Sequence, residues 1–187
     1  PWNYSGDESV PAIPGNSVVD WILIEYRDAQ DAPSAGLSSR IGRQAAFLLN
    51  DGSVVSLDGS SLPRFTGSVT DHLYVVICHR NHLDIMSADS LIPGNDQYSY
   101  DFTSGETKVY EGINGHTELA PGIWGMMAGN RLPDNTIDFA DHTDCWIPEA
   151  GQRGYLQGDY NFDTTTDNKD KNDYWHPNRG KGCQVPE

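Results

Sequence analysis

Apolar and polar positions divide the first two-thirds of the chain into short strand-like segments. Residues 18–27 are rich in β-branched and aromatic side chains and lie between polar segments, which predicts a core strand. Residues 43–49 and 53–57 flank the sequence Asn50-Asp51-Gly52, which is typical of a hairpin turn. Residues 72–78 have the same strand-like composition. The pattern therefore favours antiparallel strands, and no long amphipathic helix is predicted.

Two further strands are predicted at residues 97–102 and 108–110. Strands that recur with turn signals between them predict an antiparallel β-sandwich of the immunoglobulin or transthyretin-like kind. The predicted organisation has three parts, which are an extended N-terminal arm (1–16), the β-sandwich (17–121) and a small C-terminal module (122–187). Residues 122–128 are apolar and lack a flexible linker composition, so we expect them to pack the two larger parts together.

A twelve-residue loop near the C-terminus carries the strongest chemical pattern. Oxygen-bearing side chains fill positions 1, 3, 5, 7, 9 and 12, which are Asp159, Asn161, Asp163, Thr165, Asp167 and Asp170. EF-hand-type loops use this spacing to surround Ca²⁺ with oxygen ligands. Position 6 is Thr164 instead of the usual Gly, and position 12 is Asp instead of Glu, as in dockerin-type loops. A calcium site is predicted, and a solvated acidic turn is the alternative.

A second copy of the pattern begins 29 residues upstream. Its oxygen-bearing residues at positions 1, 5, 7, 9 and 12 are Asn130, Asp134, Thr136, Asp138 and Asp141. The register continues beyond the loop, because Trp146 matches Trp175 and Gly151 matches Gly180. Such an internal repeat predicts a pair of loop–helix units. Position 3 is Leu132, which has no ligand atom, so this copy binds an ion weakly, uses a main-chain carbonyl or water, or serves only as a structural partner.

Charge and hydropathy limit the partners. The formal net charge of −15 predicts repulsion from nucleic acid and from anionic membrane surfaces. No apolar run approaches the ~20 residues that span a bilayer, so no membrane insertion is expected. The 19 glycines and 11 prolines favour turns and strands over long helices. No signal peptide is evident, and the start at Pro1 suggests a processed or trimmed chain.

Two other groups of residues have chemical potential. Among the three cysteines, Cys78 is expected to be buried, and a bridge between Cys145 and Cys183 would fix the C-terminal tail. His79 and His82 can bind a transition metal or act as acid and base only if the chain bends between them. The favoured interpretation is structural, with Arg80 and Asn81 satisfying buried groups or binding a neighbouring carboxylate. No catalytic motif is found, and no enzyme activity is predicted.

Several segments together resemble a C-terminal region of large secreted surface proteins of Bacteroidota, described as hemagglutinin-like or adhesin-like. The resemblance covers nearly the whole chain and is carried by residues 1–6, 19–25, 27–29, 43–46, 79–83, 122–125, 158–161, 178–182 and 184–186. It implies export, a cell-surface or matrix location, and a dockerin-like pair of calcium loops at the end. The first loop of that family is richer in ligands than the present one, in which Leu132 takes position 3.

Two classes of function are expected from these features. The leading hypothesis is a secreted, calcium-stabilised structural or adhesive protein that associates with itself or with a surface partner, as in a filament or matrix subunit, and has no catalytic activity. The alternative is a polysaccharide-binding module in which exposed aromatic residues stack on sugars. The aromatic candidates are Trp2, Tyr4, Tyr98 and Tyr100. A true dockerin that docks a cohesin is a weaker option, because the first loop is degenerate and the helices are short.

Overall fold

The computed structural model describes residues 4–95, 97–132 and 134–187. The protein is mainly β, with antiparallel sheets and few helices. Its largest sheet contains β1 (Val18–Ala29), β2 (Arg40–Leu49), β3 (Val54–Val55), β4 (His72–His79) and β5 (His82–Met86). The strands lie in the order β3-β2-β1-β4-β5, and every neighbouring pair is antiparallel.

The remaining regular structure consists of short elements. Two ribbons are formed by β6 (Pro93–Gly94) with β7 (Gln97–Tyr98) and by β8 (Thr117–Ala120) with β9 (Ile123–Gly125). Single 3₁₀ turns lie at Ala32–Ser34, Leu37–Ser39, Glu106–Lys108 and Gly112–Asn114. Within the described ranges, none of the helices has the length and apolar character needed to cross a membrane.

The predicted strands are only partly confirmed. Those at residues 18–27, 43–49 and 72–78 are present as β1, β2 and β4. The strand predicted at 97–102 is wrong beyond Tyr98, and the one at 108–110 is replaced by a 3₁₀ turn and a single bridge from Val109 to Ser87. Phe102 nevertheless packs against the apolar cluster of the sheet, so burial of an aromatic side chain at this position does not require a strand.

The two faces of the sheet differ in chemistry. Ile22, Ile24 and Tyr26 point to one face and belong to a large apolar cluster. Leu23 and Ala29 lie in a second cluster on the other face. Glu25 and Arg27 occupy the intervening odd-numbered positions of β1, so the period of two places them on this second face. Both are buried, with 5% and 3% of their surface exposed, and this face therefore has a charged centre.

A third apolar cluster connects the sheet to the repeat region. Leu83 of β5 packs in it, and its N–H donates to the carbonyl of Met127 at 2.9 Å. Met127 and Ala128 are buried, as expected for the apolar connector, whereas Ile123 is largely exposed. Trp146 and Trp175 complete the cluster from the two repeats. The repeat region is therefore packed against the sheet through shared core residues.

Each repeat ends in a short helix with an unusual first turn. A π-helical turn, Asp141–Trp146, continues into the α-helical turn Ile147–Glu149, and together they form α1. In the same way Asp170–Trp175 continues into His176–Asn178, forming α2. The chain leaves α1 and α2 through Gly151 and Gly180, which have positive φ angles of 82° and 86°. Glycine adopts this left-handed conformation without steric cost, so it ends both helices in the same way.

The described part of the N-terminal arm lies against its own sheet. Tyr4 packs on the second face cluster, and its ring lies 5.1 Å from the guanidinium of Arg43. The carboxylate of Glu8 accepts a hydrogen bond of 3.2 Å from the N–H of Ala45 in β2. No residue from 4 to 16 forms a strand. Residues 1–3, including the aromatic candidate Trp2, lie outside the described residues.

Candidate metal centre and its surroundings

Asp170 closes the second acidic loop at the start of α2. Its Oδ1 accepts main-chain N–H groups from Tyr160 at 2.8 Å and from Asn161 at 3.2 Å. Its Oδ2 accepts the N–H of Asp167 at 2.8 Å. The side chain is fully buried. The residue at position 12 therefore points into the loop and ties its beginning to its end.

Asp159 holds the opposite end of the same loop. Its Oδ1 and Oδ2 accept the N–H groups of Asp163 at 3.2 Å and Thr164 at 2.9 Å. A carboxylate oxygen has two lone pairs, so each oxygen retains one for a further partner. Thr164 has a φ of +70°, which is strained for a β-branched residue. The sharp turn usually made by glycine is thus made here at a conformational cost.

The middle residues of the loop are more exposed and cap local turns. Asn161 Oδ1 accepts the N–H of Asp163 at 2.8 Å, and Asp163 Oδ1 accepts the N–H of Thr165 at 3.0 Å. Asp167 Oδ1 accepts the N–H of Lys169 at 2.7 Å. Over the described residues, no three His, Cys, Asp or Glu side chains form a group that could hold a metal ion. The structure thus buries the end residues of the predicted ligand set and leaves its acidic middle residues towards solvent.

The first loop repeats the main-chain arrangement. Asp141 Oδ1 accepts the N–H groups of Arg131 at 2.8 Å and Leu132 at 2.9 Å, and Oδ2 accepts that of Asp138 at 2.9 Å. These three donors stand at the same loop positions as the three donors to Asp170. The closing carboxylate and its hydrogen bonds are therefore common to both repeats, although Leu132 has replaced the side-chain ligand at position 3.

Position 1 distinguishes the two loops. In the amide orientation that satisfies its surroundings, Asn130 donates to the carbonyls of Leu132 at 2.8 Å and Thr136 at 3.2 Å. Thr136 is at position 7, whose carbonyl is a calcium ligand in EF-hand loops. The neutral amide of Asn130 therefore occupies an acceptor that a cation would otherwise use. Asp134, at position 5, caps the N–H of Thr136 at 3.1 Å from an exposed position.

The buried carboxylates of the two loops have unusual electrostatics. Burial, followed by the charges of Asp170 and Asp163, raises the pKa of Asp159. Burial also raises the pKa of Asp170 and of Asp141. Among the described residues, none of these three makes a salt bridge with a lysine, arginine or histidine. Buried charges in proteins are normally paired or bound to metal, so these three carboxylates lack an expected partner.

The helices of the two repeats hold each other's loops. Trp146 Nε1–H donates to the carbonyl of Asp167 at 3.0 Å, and Trp175 Nε1–H donates to the carbonyl of Asp138 at 3.0 Å. Both carbonyls belong to position 9 of their loops. His142 stacks between the two indoles, with ring centroids 5.2 Å and 4.8 Å away. The pair is therefore joined by reciprocal bonds around a stacked aromatic centre.

Main-chain hydrogen bonds also connect each repeat to the loop of the other. Gly151, after α1, donates to the carbonyl of Thr166 in the second loop at 2.7 Å. Gly180, after α2, donates to the carbonyl of Ile137 in the first loop at 2.7 Å. Single β-bridges link residue 165 to residue 153 and residue 136 to residue 182. Each loop is consequently completed by the segment that follows the other repeat's helix.

The turn between β4 and β5 anchors the second loop to the sheet. Asn81 is fully buried, and its Nδ2 donates to the carbonyls of Gln157 at 3.0 Å and Asp159 at 2.9 Å. Phe162 of the loop stacks on His82, with ring centroids 5.4 Å apart. The structural role expected for Asn81 is thereby confirmed.

Arg80 and the histidines form a buried polar cluster beside this turn. Arg80 Nε donates to Asp20 Oδ2 at 2.8 Å, as expected for a neighbouring carboxylate. His79 Nε2 lies 3.2 Å from the same oxygen at a poor angle for a hydrogen bond. The tight turn brings the Nδ1 atoms of His79 and His82 to 3.1 Å. Burial opposes ionisation of Asp20, but His79, Tyr155 and Arg80 together lower its pKa to about 2.

The predicted bridge between Cys145 and Cys183 is not formed. Both residues and Cys78 are free thiols. Cys183 Sγ–H donates a weak hydrogen bond to the carbonyl of Asp84 at 3.5 Å, which places it beside β5 instead of α1. Cys78 is buried in β4, as predicted, and burial raises the pKa of its thiol.

Sequence reasoning missed the contacts that join the loops to each other and to the sheet. The matched tryptophans Trp146 and Trp175 were visible as part of the repeat, but their spacing did not reveal that each serves the opposite loop. Asn81 was expected to satisfy buried groups, but the sequence did not show that those groups are the carbonyls of Gln157 and Asp159 beside and within the second loop.

Comparison with known proteins adds no further constraint: no family model, no curated protein and no solved structure matches this chain.

Proposed function

We propose that this chain is a secreted, calcium-stabilised structural or adhesive surface protein that associates with copies of itself or with a surface partner. The observation that carries the calcium part is the burial of Asp159 and Asp170 without a cationic partner. A divalent cation would offset their charge and connect the two ends of the loop. The bound ion would supply stability to the fold and no chemical step.

The residues proposed to hold the ion are those of the second loop. Asp159 and Asp170 contribute the buried oxygens, and the shell is completed by Asn161, Asp163, Thr165 and Asp167. Each Asp159 oxygen and Asp170 Oδ2 accept one hydrogen bond, so a lone pair remains on each. In the first loop, the amide of Asn130 favours a structural role, although the predicted set of Asn130, Asp134, Thr136, Asp138 and Asp141 remains a second candidate site.

Self-association is proposed along the outer edge of β2. β3 pairs with β2 only at Phe47 and Leu48, and among the described strands no other one pairs with the outer edge of β2. An open edge accepts an extended segment from another chain. The arm at residues 1–16 is the proposed donor, because Glu8 already bonds Ala45 on this edge within one chain. Exchange of that contact between copies would build an oligomer or a filament.

The proposal also includes a more specific fold class and the resemblance to a family of surface proteins. The sheet and its covering segments would form a β-sandwich of the immunoglobulin or transthyretin-like kind, and the paired loops a dockerin-like module. The interlocked repeats support the second part, since two loop–helix units stabilise each other in that arrangement. The resemblance to secreted Bacteroidota adhesin-like proteins supports the surface location and the absence of catalysis.

The deciding experiment measures particle size by light scattering and negative-stain microscopy, in calcium and then in excess chelator. We expect ordered assemblies in calcium that dissociate or lose regularity on chelation. A variant lacking residues 1–16 should remain folded and should form smaller particles, because the assemblies would lose the segment that joins the copies. The matched control is Glu8→Gln, which keeps the arm and a hydrogen-bond acceptor while removing a charge. A monodisperse monomer in both conditions would contradict the self-association proposal.

A polysaccharide-binding module is the second candidate, and an aromatic groove favours it. The groove, of about 1370 Å³, lies over the apolar face of the sheet. Its aromatic lining consists of Tyr26, Phe65, Tyr98, Tyr100 and Phe102. Tyr98 is 39% exposed and can stack on a sugar ring. Retention on insoluble polysaccharide that is lost in Tyr98→Ala, but kept in the remote variant Tyr174→Ala, would favour this function.

A further inference from the structure

A cavity of about 350 Å³ lies between the charged face of the sheet and the first loop. Five of the chain's eight arginines line it, namely Arg27, Arg40, Arg43, Arg80 and Arg131. The lining contains three acidic residues, Glu25, Asp84 and Glu187. In a chain with a net charge of −15, this is a local reversal of sign. The charge of the lining therefore favours an anion in this space.

Glu25 stands among three of these arginines. Its carboxylate lies 3.0 Å from Arg27 Nη2, 3.1 Å from Arg40 Nη1 and 3.8 Å from Arg43 Nη1. Arg27 also donates through Nη1 to the carbonyls of Ala35 and Pro186, so it acts mainly in positioning this wall of the cavity. One carboxylate thus faces three guanidinium groups, and a second anion at this place would meet favourable charge.

Arg40 of β2 and Arg131 of the first loop both line the cavity and retain unused donors. Within the described part of the chain, the side chain of Arg40 makes one hydrogen bond, to Glu25, and that of Arg131 makes one, from Nε to Gln157. A guanidinium has five N–H donors, so most of those on both residues remain for a ligand. The Arg40 side chain is 33% exposed, which leaves the cavity accessible.

Comparison of the two repeats gives an independent reason to assign a role to this cavity. Both loops have the same main-chain hydrogen bonds, yet Arg131 and Leu132 stand where the second loop has Tyr160 and Asn161. Tyr160 is a buried core residue, whereas Arg131 and Leu132 line the cavity. Four residues of the first loop line the cavity, namely Asn130, Arg131, Leu132 and Asn135. Among them, Leu132 departs from the ligand pattern at position 3, and Arg131 puts a cation at position 2, where the second loop has the buried Tyr160.

We propose that this cavity binds a small ligand bearing a carboxylate or sulfate group, held between Arg40 of β2 and Arg131 of the first loop. Planar guanidinium groups bind such oxyanions through paired hydrogen bonds. The volume is at the lower end of the range for small-molecule sites, which suits a free anion or one acidic sugar unit. The site is separate from the calcium ligands of the second loop and does not depend on the proposed assembly.

The test is a titration of the full chain with three probes, which are inorganic sulfate, glucuronate and neutral glucose, followed by calorimetry in phosphate-free buffer. We expect saturable binding of at least one anion and none of glucose. Arg40→Gln and Arg131→Gln should each weaken binding about tenfold or more, which is about 1.4 kcal/mol. Arg64→Gln makes the same charge change at an exposed site outside the cavity and should bind normally. Circular dichroism establishes that each variant is folded.

The probes also separate the possible sources of the anion. Equal affinity for sulfate and glucuronate would identify a free oxyanion as the ligand, and tighter binding of glucuronate would identify an acidic sugar. Both results support the proposed chemistry. Absence of saturable binding by both anions would overturn it. So would an equal loss in Arg64→Gln, because binding would then follow net charge alone.

Discussion

The indole of Trp146 donates a hydrogen bond of 3.0 Å to the carbonyl of Asp167, which lies in the opposite repeat. Its counterpart, Trp175, makes the same bond to Asp138. In each bond, a tryptophan in the helix of one repeat holds the carbonyl at position 9 of the other repeat's loop. The helix that carries the tryptophan begins at position 12 of its own loop. We therefore expect a change in one loop to affect the other through these two hydrogen bonds.

Removal of either indole N–H should destabilise the pair. Trp146→Phe leaves the carbonyl of Asp167 without its donor, and Trp175→Phe does the same to Asp138. Both bonds are only partly buried, and such a hydrogen bond contributes about 0.5–1.5 kcal/mol net, so we expect losses of this size in chemical denaturation. The double variant should show a coupling energy of at least about 0.5 kcal/mol, because both residues also stack on His142.

The control for this cycle is Trp21→Phe. Trp21 packs on Phe47 in the sheet and takes part in none of the contacts described between the repeats, so its effect should add to that of Trp146→Phe without coupling. Strict additivity of the Trp146 and Trp175 changes would show that the two repeats are energetically independent.

Calcium dependence is predicted to reside in Asp159. Asp159→Asn removes a buried negative charge while retaining one oxygen acceptor for the loop N–H groups. With calcium at about 100 times its Kd, the bound ion stabilises the fold by about 2.7 kcal/mol, and this contribution should be lost. In chelator the effect should be small, because relief of repulsion with Asp170 offsets a weakened hydrogen bond. Thermal unfolding in both buffers makes the comparison.

Asp173→Asn is the matched control, since Asp173 is an exposed aspartate in α2 outside the twelve-residue loop. It should behave as the parent in both buffers. Equal destabilisation by Asp159→Asn with and without calcium would mean that Asp159 acts only by capping the loop.

Because of Asp84, we expect the free energy of unfolding to decrease as the pH rises above about 4. Burial, with an added contribution from Glu25, raises the pKa of Asp84 to about 6. A raised folded pKa means that the folded state retains a proton that the unfolded chain releases, so stability decreases between about pH 4 and pH 6. The loss approaches about 3 kcal/mol at most, and solvent reduces it because the residue is only half-buried. Urea denaturation across this range measures it.

Asp84→Asn should flatten that part of the pH profile, whereas Asp89→Asn, at an exposed position, should leave it unchanged. The same slope in the parent and in Asp84→Asn would place the titration elsewhere. Aspartates of the loops contribute in the same direction only without calcium, so repeating the series in calcium separates their effect from that of Asp84.

Asn81 is predicted to couple the sheet to the second loop. Asn81→Ala removes the donors to Gln157 and Asp159, and both carbonyls are then left without that partner. We expect a loss of about 2–4 kcal/mol, together with weaker calcium binding because position 1 of the loop is no longer held. Calcium titration and denaturation provide the two measurements. Asn114→Ala, at a surface turn, should change neither. Normal calcium affinity in a destabilised Asn81→Ala would contradict the coupling.

The central strands were predictable because their signal is local. Alternation and β-branched composition located β1, β2 and β4, and the repeat located both helices. The strand predicted at 97–102 failed because Tyr100 instead donates its hydroxyl to the carbonyl of Lys108 at 2.8 Å, holding an irregular segment in place. A hydrophobic pattern identifies which side chains are buried, but it does not specify whether neighbouring main chains pair.

The sites were harder to predict from the sequence than the strands were. Glu25 and Arg27 interrupt the apolar run of β1 at alternate positions, which is a signal for a charged sheet face that the overall strand composition obscured. The opposing arginine, Arg131, comes from a loop more than a hundred positions later in the chain. A cavity of this kind is formed by segments that are far apart in the chain. A single sequence does not show which distant segments come into contact.

The exchange of main-chain bonds between the repeats has a consequence for biosynthesis. Residues 180–183 supply the edge that pairs with the first loop, so that loop cannot reach its final structure while those residues remain inside the ribosome or an export channel. A chain emerging from its N-terminus would first assemble the sheet and hold the first repeat incomplete. The paired loops would then close together in one late step, after the last residues of the second repeat are released.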